Sequence, residues 1–160
     1  MTHFREMFAQ DYTIDAFGAY VIDKSLIAKA LHTLKYEDGY AFLVDITAID
    51  YLTAKTTTPE RFAVIYLLRD QHFKNLITLK TFIDSSLSTH SVTSLFEAAN
   101  WAEREVWDQY GISFKNHPNL KRILNHKEFI GHPLRKDYPI TKGQLCHQSD
   151  NLMDEMTPRL

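Results

Sequence analysis

The sequence predicts an α+β fold, a two-layer sandwich in which a mostly antiparallel sheet carries helices on one face, followed by an extended C-terminal arm. Two apolar runs joined by a short polar turn predict a β-hairpin, and segments with helical periodicity lie on both sides of these runs. Residues 112–139 have two His-Pro pairs and a further proline, Pro139, which favour extended backbone. We therefore expect residues 1–114 to form the sandwich and residues 115–160 to form an arm that needs another surface for stability.

The first half of the chain is expected to supply one helix and two strands. Apolar residues at helical spacing in KSLIAKALHTLK, residues 24–35, predict a helix, with Ser25 as a plausible N-cap. The segment AYVID at residues 19–23 predicts an early strand, and AFLVDITAID at residues 41–50 predicts a longer one. A polar connection at residues 52–60, with a run of three threonines and a proline, predicts a loop.

The middle of the chain predicts the hairpin. RFAVIYLLR at residues 61–69 and NLITLKTFI at residues 75–83 are rich in strand-forming residues, and the polar segment DQHFK separates them. In the second run one set of alternating positions is apolar and the other is mixed. We therefore expect the sheet to be covered on one side only.

A helix is expected to follow, from Ser94 to the residue before Gly111. Ser94 and Glu97 match a capping box, and Gly111 lies where a left-handed residue would end the helix. Arg104 and Asp108 are four apart and could pair along the helix surface. The apolar stripe that would face the core is Leu95, Ala99, Ala102, Val106 and Tyr110.

Two neighbouring segments carry opposite charge. Residues 97–108 contain four acids and one arginine, whereas residues 115–136 contain six Lys or Arg and one acid. The basic segment has few aromatic residues between its charges, so a nucleic-acid partner is not expected. We expect Arg122 or Arg135 to pair with an acid of a partner or with one of the helix acids. Those acids are Glu103, Glu105 and Asp108.

Composition argues against several classes of protein. The chain has 160 residues and a net charge of −2, and its longest apolar run is far shorter than the about 20 residues of a membrane-spanning helix. The N-terminus shows no signal-peptide pattern, so we expect the protein to remain in the cytoplasm. Cys146 is the only cysteine, which excludes an internal disulfide and an iron–sulfur cluster held by this chain alone. The five glycines lie too far apart for a nucleotide-binding loop.

Three groups of side chains are candidates for carrying chemistry. Glu105 and Asp108 are three apart on the expected helix and could act as a carboxylate pair. Cys146 has His147 beside it, although a solvated, inert thiol is the more common finding. A third group has spacings of nine and six residues, which match no familiar zinc motif. It comprises His117, His126 and His132.

The segment ANWAEREVWDQYGISFKNHPNLKRIL, followed by GHPLRKDYP, resembles a known family. It is similar to the thirty-kilodalton (30 kDa) subunit family of proton-pumping NADH:quinone oxidoreductase, respiratory complex I. Asn119 stands where the family commonly has Asp, and Trp107 stands where Tyr is usual. The positions that match the family pattern are Glu103, Arg104, Glu105, Asp108, Gly111, Ile112, Phe114, His117, Pro118, Arg122, Ile123, Leu124 and residues 131–139.

This resemblance implies a scaffold and assembly role in the peripheral arm of that enzyme, without catalysis by this chain. It implies no cofactor in this chain, with FMN, the Fe-S clusters and quinone held by partner subunits. It also implies contacts with the large quinone-site subunit and with Fe-S subunits, on the cytoplasmic side of the bacterial inner membrane, with membrane association only through the complex. The expected docking residues are Glu103, Arg104, Glu105, Asp108, His117, Arg122, His132, Arg135, Lys136, Asp137 and Tyr138.

Two other functions remain open at this point. The chain could be the equivalent subunit of a related membrane-bound hydrogenase or deazaflavin-dependent dehydrogenase, since the resemblance extends to these complexes. It could also be an independent small hydrolase that uses the carboxylates or histidines with a metal ion. The first alternative concerns which complex the chain serves, and the second requires a site within the chain itself.

Overall fold

The computed structural model describes residues 1–55 and 57–144 and confirms the predicted α+β class. Within these residues no helix has the length and hydropathy that a membrane crossing requires. The helices are α1 (Thr2–Met7), α2 (Ile27–Tyr36) and α3 (Ala99–Tyr110). The strands are β1 (Tyr12–Ile14), β2 (Tyr20–Ile22), β3 (Phe42–Asp50), β4 (Phe62–Arg69), β5 (Leu76–Ile83), β6 (Ser88–His90) and β7 (Ser113–Lys115).

The main sheet has five strands in the order β1-β2-β5-β4-β3. Its pairs are antiparallel except for β2 with β5, which run parallel, as the long stretch of chain between them permits. The predicted hairpin is confirmed as β4 and β5, with Val64 opposite Thr81. A separate two-stranded parallel sheet joins β6 to β7 and brings the chain after α3 back to the segment before it.

One face of the main sheet forms the core. Phe62, Val64, Tyr66 and Leu68 of β4 are buried, whereas Ile65 and the other alternate positions toward the end of β4 are less buried. The face that carries Val64 and Tyr66 is thus the apolar one, although Ala63 and Lys80 on the other face are also buried, so the coverage is less one-sided than predicted. The helices cover that face with apolar residues of α2 and α3, among them Ile27, Leu31, Leu34, Ala99 and Val106.

Two predicted helix starts are wrong. α3 begins at Ala99 and has no side-chain cap, so Ser94 and Glu97 do not form a capping box. Residues before α3 form a turn in which the Phe96 amide donates to the Val92 carbonyl at 2.9 Å. α2 begins at Ile27, and Ser25 donates its hydroxyl to Asp23 at 2.6 Å instead of capping the helix.

The predicted end of α3 is confirmed. Gly111 adopts φ 75° and ψ 22°, in the left-handed region, and its amide donates to the Trp107 carbonyl at 2.8 Å. The chain then leaves α3 through β7 and enters the segment that follows. We call residues 116–144 the arm, which is the described part of the chain after β7.

Candidate functional site at the junction of helix α3 and the arm

Asp108, in the last turn of α3, is the centre of the junction. Its side chain is buried, and one carboxylate oxygen accepts hydrogen bonds from the amides of Ile123, Leu124 and Asn125 at 3.1, 2.9 and 2.9 Å. The other oxygen accepts from the Asn125 side chain at 3.0 Å and from the Arg122 guanidinium. Asp108 therefore holds a complete turn of the arm against the end of the helix.

The electrostatics of Asp108 follow from these contacts. Burial is the largest single influence on its pKa and acts to raise it, because a buried carboxylate loses hydration. The hydrogen bonds from Asn125, Ile123 and Arg122 outweigh burial and hold the pKa of Asp108 well below its usual range. The ion pair confirms the prediction that Arg122 meets an acid of the helix.

The predicted pair of Arg104 with Asp108 is wrong. Arg104 instead donates to the carbonyls of Lys121 and Arg122, at 3.0 and 3.2 Å. Both carboxylate oxygens of Asp108 accept hydrogen bonds from the arm, so neither is left to pair with Arg104. Arg104 therefore also fastens the arm to α3, through backbone carbonyls instead of a carboxylate.

The last carbonyls of α3 are satisfied by the arm. A helix end leaves its final carbonyl groups without intrahelical partners, and burial without partners would be costly. His132 contacts the Asp108 carbonyl at 3.0 Å, and the Leu134 amide donates to the Gln109 carbonyl at 3.1 Å. Arg135 donates to the Tyr110 carbonyl at 2.6 Å. Burial lowers the pKa of His132, which favours its neutral form.

Gly111 permits this close approach. A side chain at this position would place its Cβ 2.6 Å from the His132 ring and in contact with the Arg135 guanidinium. The positive φ of Gly111 adds a backbone cost for any other residue. Glycine is thus required here both by the conformation and by the packing of the arm.

A second anchor lies at the end of β3, where Asp50 is buried. Arg61 donates to both oxygens of Asp50 at 2.9 and 2.7 Å, and also to both oxygens of Asp137 at 3.1 and 2.8 Å. The Lys136 amide donates to Asp50 at 2.9 Å. Burial acts to raise the pKa of Asp50, but the hydrogen bonds from Arg61, Lys136 and Leu52 lower it to about 2.

Asp50 and Arg61 were not predicted from the sequence as residues that hold the arm. The available signal was an acid closing the apolar run DITAID, followed after the loop by an arginine at the start of the next strand. Only the folded sheet shows that both residues face Lys136 and Asp137 of the arm. Asp137 was expected as a docking residue, and it lies half exposed with Arg61 as its partner.

Glu103 lies deeper, on the buried side of α3. Its Oε1 accepts from the Val92 amide at 2.6 Å, and its Oε2 has no hydrogen-bond partner in the described part of the chain. His117 approaches Oε2 at 3.9 Å, while its ring contacts the Asn100 carbonyl at 3.1 Å. Burial raises the pKa of Glu103 to about 7.

Two further buried hydroxyls, those of Tyr66 and Thr89, lie close to each other beneath α3. Burial, and secondarily the negative charge of Glu103, raises the pKa of Tyr66. This cluster sits beneath α3 and opposite the arm, so it belongs to the interior that supports the junction.

The remaining predicted docking residues lie at or near the surface. Glu105 is exposed, and Lys136 is exposed except for its amide, which reaches Asp50. Tyr138 stacks on Phe129 with ring centroids 6.0 Å apart, and its hydroxyl accepts from Gln144 at 2.7 Å. The structure thus brings most of the predicted set to one junction, and leaves Glu105 outside its hydrogen-bond network.

The histidines do not assemble into a metal site. His117 and His132 are each engaged with a backbone carbonyl of α3, and His126 packs edge-on against Phe129. Across residues 1–55 and 57–144, no group of three or more His, Cys, Asp or Glu is arranged to hold a metal ion. Cys146 and His147 lie outside the described residues.

Two solved structures share this architecture. The trypsin-resistant fragment (1-134) of Nqo5 matches with a TM-score of 0.65 and 32% sequence identity, over 72% of this chain and 95% of that one. One polypeptide of the membrane-bound sulfane sulfur reductase, an archaeal respiratory membrane complex, matches with a TM-score of 0.72 over 99% of this chain and 91% of its own. At 20% identity the second likeness shows the fold alone. The protein is therefore of the Nqo5-like α+β class.

The sequence comparisons go further. Residues 20–144 match the family described as respiratory-chain NADH dehydrogenase, 30 Kd subunit, and the chain belongs to this family. An NADH-quinone oxidoreductase subunit of Citrifermentans bemidjiense is 43% identical over 120 residues, which are 74% of this chain and 72% of that protein. The family inferred from the sequence motif is thereby confirmed.

Other relatives are longer than this chain. NADH-ubiquinone oxidoreductase subunit 9 of Reclinomonas americana is 48% identical over 99 residues, which are 62% of this chain and 47% of that protein. NADH dehydrogenase [ubiquinone] iron-sulfur protein 3 of Beta trigyna is 46% identical over 102 residues, which are 64% of this chain and 51% of that protein. The matched region thus spans about half the length of these two relatives.

Proposed function

We propose that this chain is a non-catalytic docking and assembly subunit of an NADH:quinone oxidoreductase, and that the surface of α3 and the arm is its contact face. The observation that carries the proposal is a set of large apolar side chains exposed on α3 and the arm, a feature that marks contact sites when such residues cluster. These residues are Trp101 (63% exposed), Leu124 (63%), Ile130 (71%) and Leu134 (49%).

The arm holds two of these side chains, Leu124 and Leu134, in a fixed arrangement. The turn at Asn125 is held by Asp108, and Leu134 is held through its amide by the Gln109 carbonyl. A surface that is ordered before binding loses less conformational entropy when a partner arrives. The network around Asp108 therefore supports a role in recognition.

The buried charges support the same proposal. Asp108 has both carboxylate oxygens occupied by arm groups, and Asp50 has its oxygens occupied by Arg61, the Leu52 amide and the Lys136 amide of the arm. A general acid or base must reach a substrate proton directly or through one water. Carboxylates occupied in this way hold the arm, and they support a structural role in preference to the hydrolase alternative.

The family suggests the partners. The expected neighbours are the large quinone-site subunit and subunits that carry Fe-S clusters, with FMN, the clusters and quinone held by those partners. The assembled enzyme would pass electrons from NADH to quinone and translocate protons. The chain would sit in the peripheral part, on the cytoplasmic side of a bacterial inner membrane, and reach the membrane only through the complex.

A second candidate is the same docking role in a related complex, such as a membrane-bound hydrogenase or a deazaflavin-dependent dehydrogenase. The observation in its favour is the fold likeness, over 99% of this chain, to one polypeptide of an archaeal respiratory membrane complex. The two candidates differ in the electron donor and therefore in the subunits that would accompany the chain.

Co-purification from the native membrane tests both candidates. A tagged chain expressed from its own locus should carry with it flavin- and cluster-bearing subunits that oxidise NADH and reduce quinone. Recovery of hydrogenase or deazaflavin-dependent subunits would favour the second candidate. A chain that purifies alone, or that alone turns over a hydrolase substrate with a stoichiometric metal, would contradict the docking role.

A matched pair of variants locates the contact face. Trp101→Glu should lower the amount of chain recovered with the complex by at least about tenfold, because an interface tryptophan often contributes about 2 kcal/mol or more, which is about thirtyfold in affinity. Phe17→Glu is the control, since Phe17 is 95% exposed and follows β1, the strand at the sheet edge opposite β3. Equal recovery of the two variants would show that α3 is not part of the contact.

A further inference from the structure

A cleft of about 520 Å³ opens where α3 meets the first half of the arm. It lies beside the apolar face described above, because the Arg104 guanidinium stacks on the exposed ring of Trp101 at 5.2 Å from its centroid. The lining residues are Arg104, Trp107, Leu120, Lys121, Arg122 and Lys127.

The cleft is strongly cationic. Four of its six lining residues are Lys or Arg and none is an acid, although the chain as a whole has a net charge of −2. Arg122 is neutralised by Asp108. Among the described residues no carboxylate lies within salt-bridge distance of Arg104, Lys121 or Lys127. About three positive charges therefore face the cleft without a described counter-ion.

Its two arginines are fixed in place. Arg104 uses two of its nitrogens to reach the carbonyls of Lys121 and Arg122, and Arg122 donates to the Gly131 carbonyl at 3.0 Å. Guanidinium groups held by the backbone keep their position when no ligand is bound, and this lowers the entropic cost of binding an anion. Lys121 and Lys127 are exposed at the rim and can reach a ligand from outside.

The floor of the cleft is apolar. Trp107 and Leu120 line it, and the Arg122 guanidinium lies over the Trp107 ring at 5.7 Å from its centroid. A ligand that contacts both the cationic residues and the apolar residues of the cleft must carry several negative charges beside an aliphatic or aromatic group. A polypeptide segment with acidic and apolar residues has this chemistry, whereas an inorganic anion would satisfy the charges alone.

We infer that this cleft binds an acidic segment of a neighbouring subunit, whose carboxylates pair with Arg104, Lys121 and Lys127 while an apolar side chain packs on Trp107. The inference rests on the proposed docking function and specifies the partner chemistry at one part of the contact face. Charge complementarity supports it, together with the continuity of the cleft with the exposed Trp101.

Carbodiimide cross-linking of the purified complex tests the inference directly. This reagent joins a lysine amine to a carboxylate only when the two are in contact, so mass spectrometry identifies the pairs. Lys121 and Lys127 should be linked to Asp or Glu of another subunit. The exposed Lys55 and Lys74, which lie outside the cleft, serve as controls and should not show this pattern.

Each other outcome overturns the inference. Links from Lys121 and Lys127 only to acids of the chain's own C-terminus, such as Asp154, would show that the chain itself fills the cleft. An absence of links in an intact complex would also refute the inference, and so would protection of these lysines by lipid alone. In either case the proposed docking function would still stand. Failure of the chain to assemble at all would reject both.

A charge reversal gives an independent measurement. The double variant Lys121→Glu and Lys127→Glu should be recovered with the complex about tenfold less than the wild type, since each lost pair at a rim contributes modestly. The loss should shrink as salt is added, because screening weakens the wild-type pairs. The double variant Lys55→Glu and Lys74→Glu carries the same charge change and should be recovered normally. Equal recovery of the two double variants would contradict the inference.

Discussion

Replacing Glu103 by glutamine should remove a pH dependence from the stability of the folded chain. The carboxyl group is fully buried and its Oε1 accepts from the Val92 amide, while its Oε2 has no described hydrogen-bond partner. His117 offers little compensation, because its nearer nitrogen is 3.9 Å from Oε2 and also lies within 3.1 Å of the Asn100 carbonyl. The ionised form of Glu103 is therefore poorly solvated and the protonated form is favoured.

The sign of the effect follows from the raised pKa. The pKa of Glu103 rises from 4.5 to about 7 on folding, because burial outweighs the lowering effect of hydrogen bonds from the Ser91 side chain and the Val92 amide. The folded state therefore keeps a proton that the unfolded state releases, and the free energy of unfolding falls as pH rises between these two values. A shift of this size corresponds to about 3 kcal/mol in total, of which roughly 2.5 kcal/mol lies between about pH 5 and about pH 8.

Urea unfolding of the wild type and Glu103→Gln measures this difference. The glutamine oxygen can still accept from the Val92 amide, and its side chain stays neutral at every pH. Relative to the wild type, the variant should therefore gain roughly 2–3 kcal/mol on going from about pH 5 to about pH 8. Glu105→Gln is the control because Glu105 is exposed. A difference between Glu103→Gln and wild type that stays the same at both pH values would refute the reasoning.

Two further substitutions probe how the arm is held. Asp108→Asn should destabilise the arm by about 3 kcal/mol, because it leaves the partly buried Arg122 without its anion, and limited proteolysis should cut the arm faster than in an Asp11→Asn control. Resistance equal to the control would contradict the anchoring role. Gly111→Ala should cost at least about 2 kcal/mol, from the left-handed backbone and the 2.6 Å approach to His132, as measured by chemical unfolding. Gly18→Ala shares a positive φ but has open space around it, so it should cost only about 1 kcal/mol; equal costs would show that the approach of the arm is unimportant.

The strands were predictable because their pattern is local. Alternation in β4 and β5 and the polar turn between them define a hairpin without reference to the rest of the chain. The left-handed end of α3 at Gly111 is equally local. The start of α3 could not be predicted from local pattern, because the expected capping positions lie in a turn before the helix. The Val92 amide within that turn donates to Glu103, which lies eleven residues later in the chain.

The site was predictable only in part. The opposite charges of the two segments correctly indicated that Arg122 meets an acid of α3. The convergence of three arm amides on Asp108 had no signal in the sequence, because backbone amides carry no residue identity. Asp50 was missed for a similar reason, since its partner Lys136 is 86 residues away and is contacted through its amide.

The closure of α3 by the arm has a consequence for biosynthesis. Folding of a nascent chain proceeds from the N-terminus, but the carbonyls of Gln109 and Tyr110 at the end of α3, and one oxygen of Asp50, gain their arm partners only from residues 134–136. A ribosome must therefore release nearly the whole described chain before the sandwich can complete its own hydrogen bonds. A stalled or prematurely terminated product would expose unsatisfied polar groups, which quality-control proteases could use to distinguish it from the finished subunit.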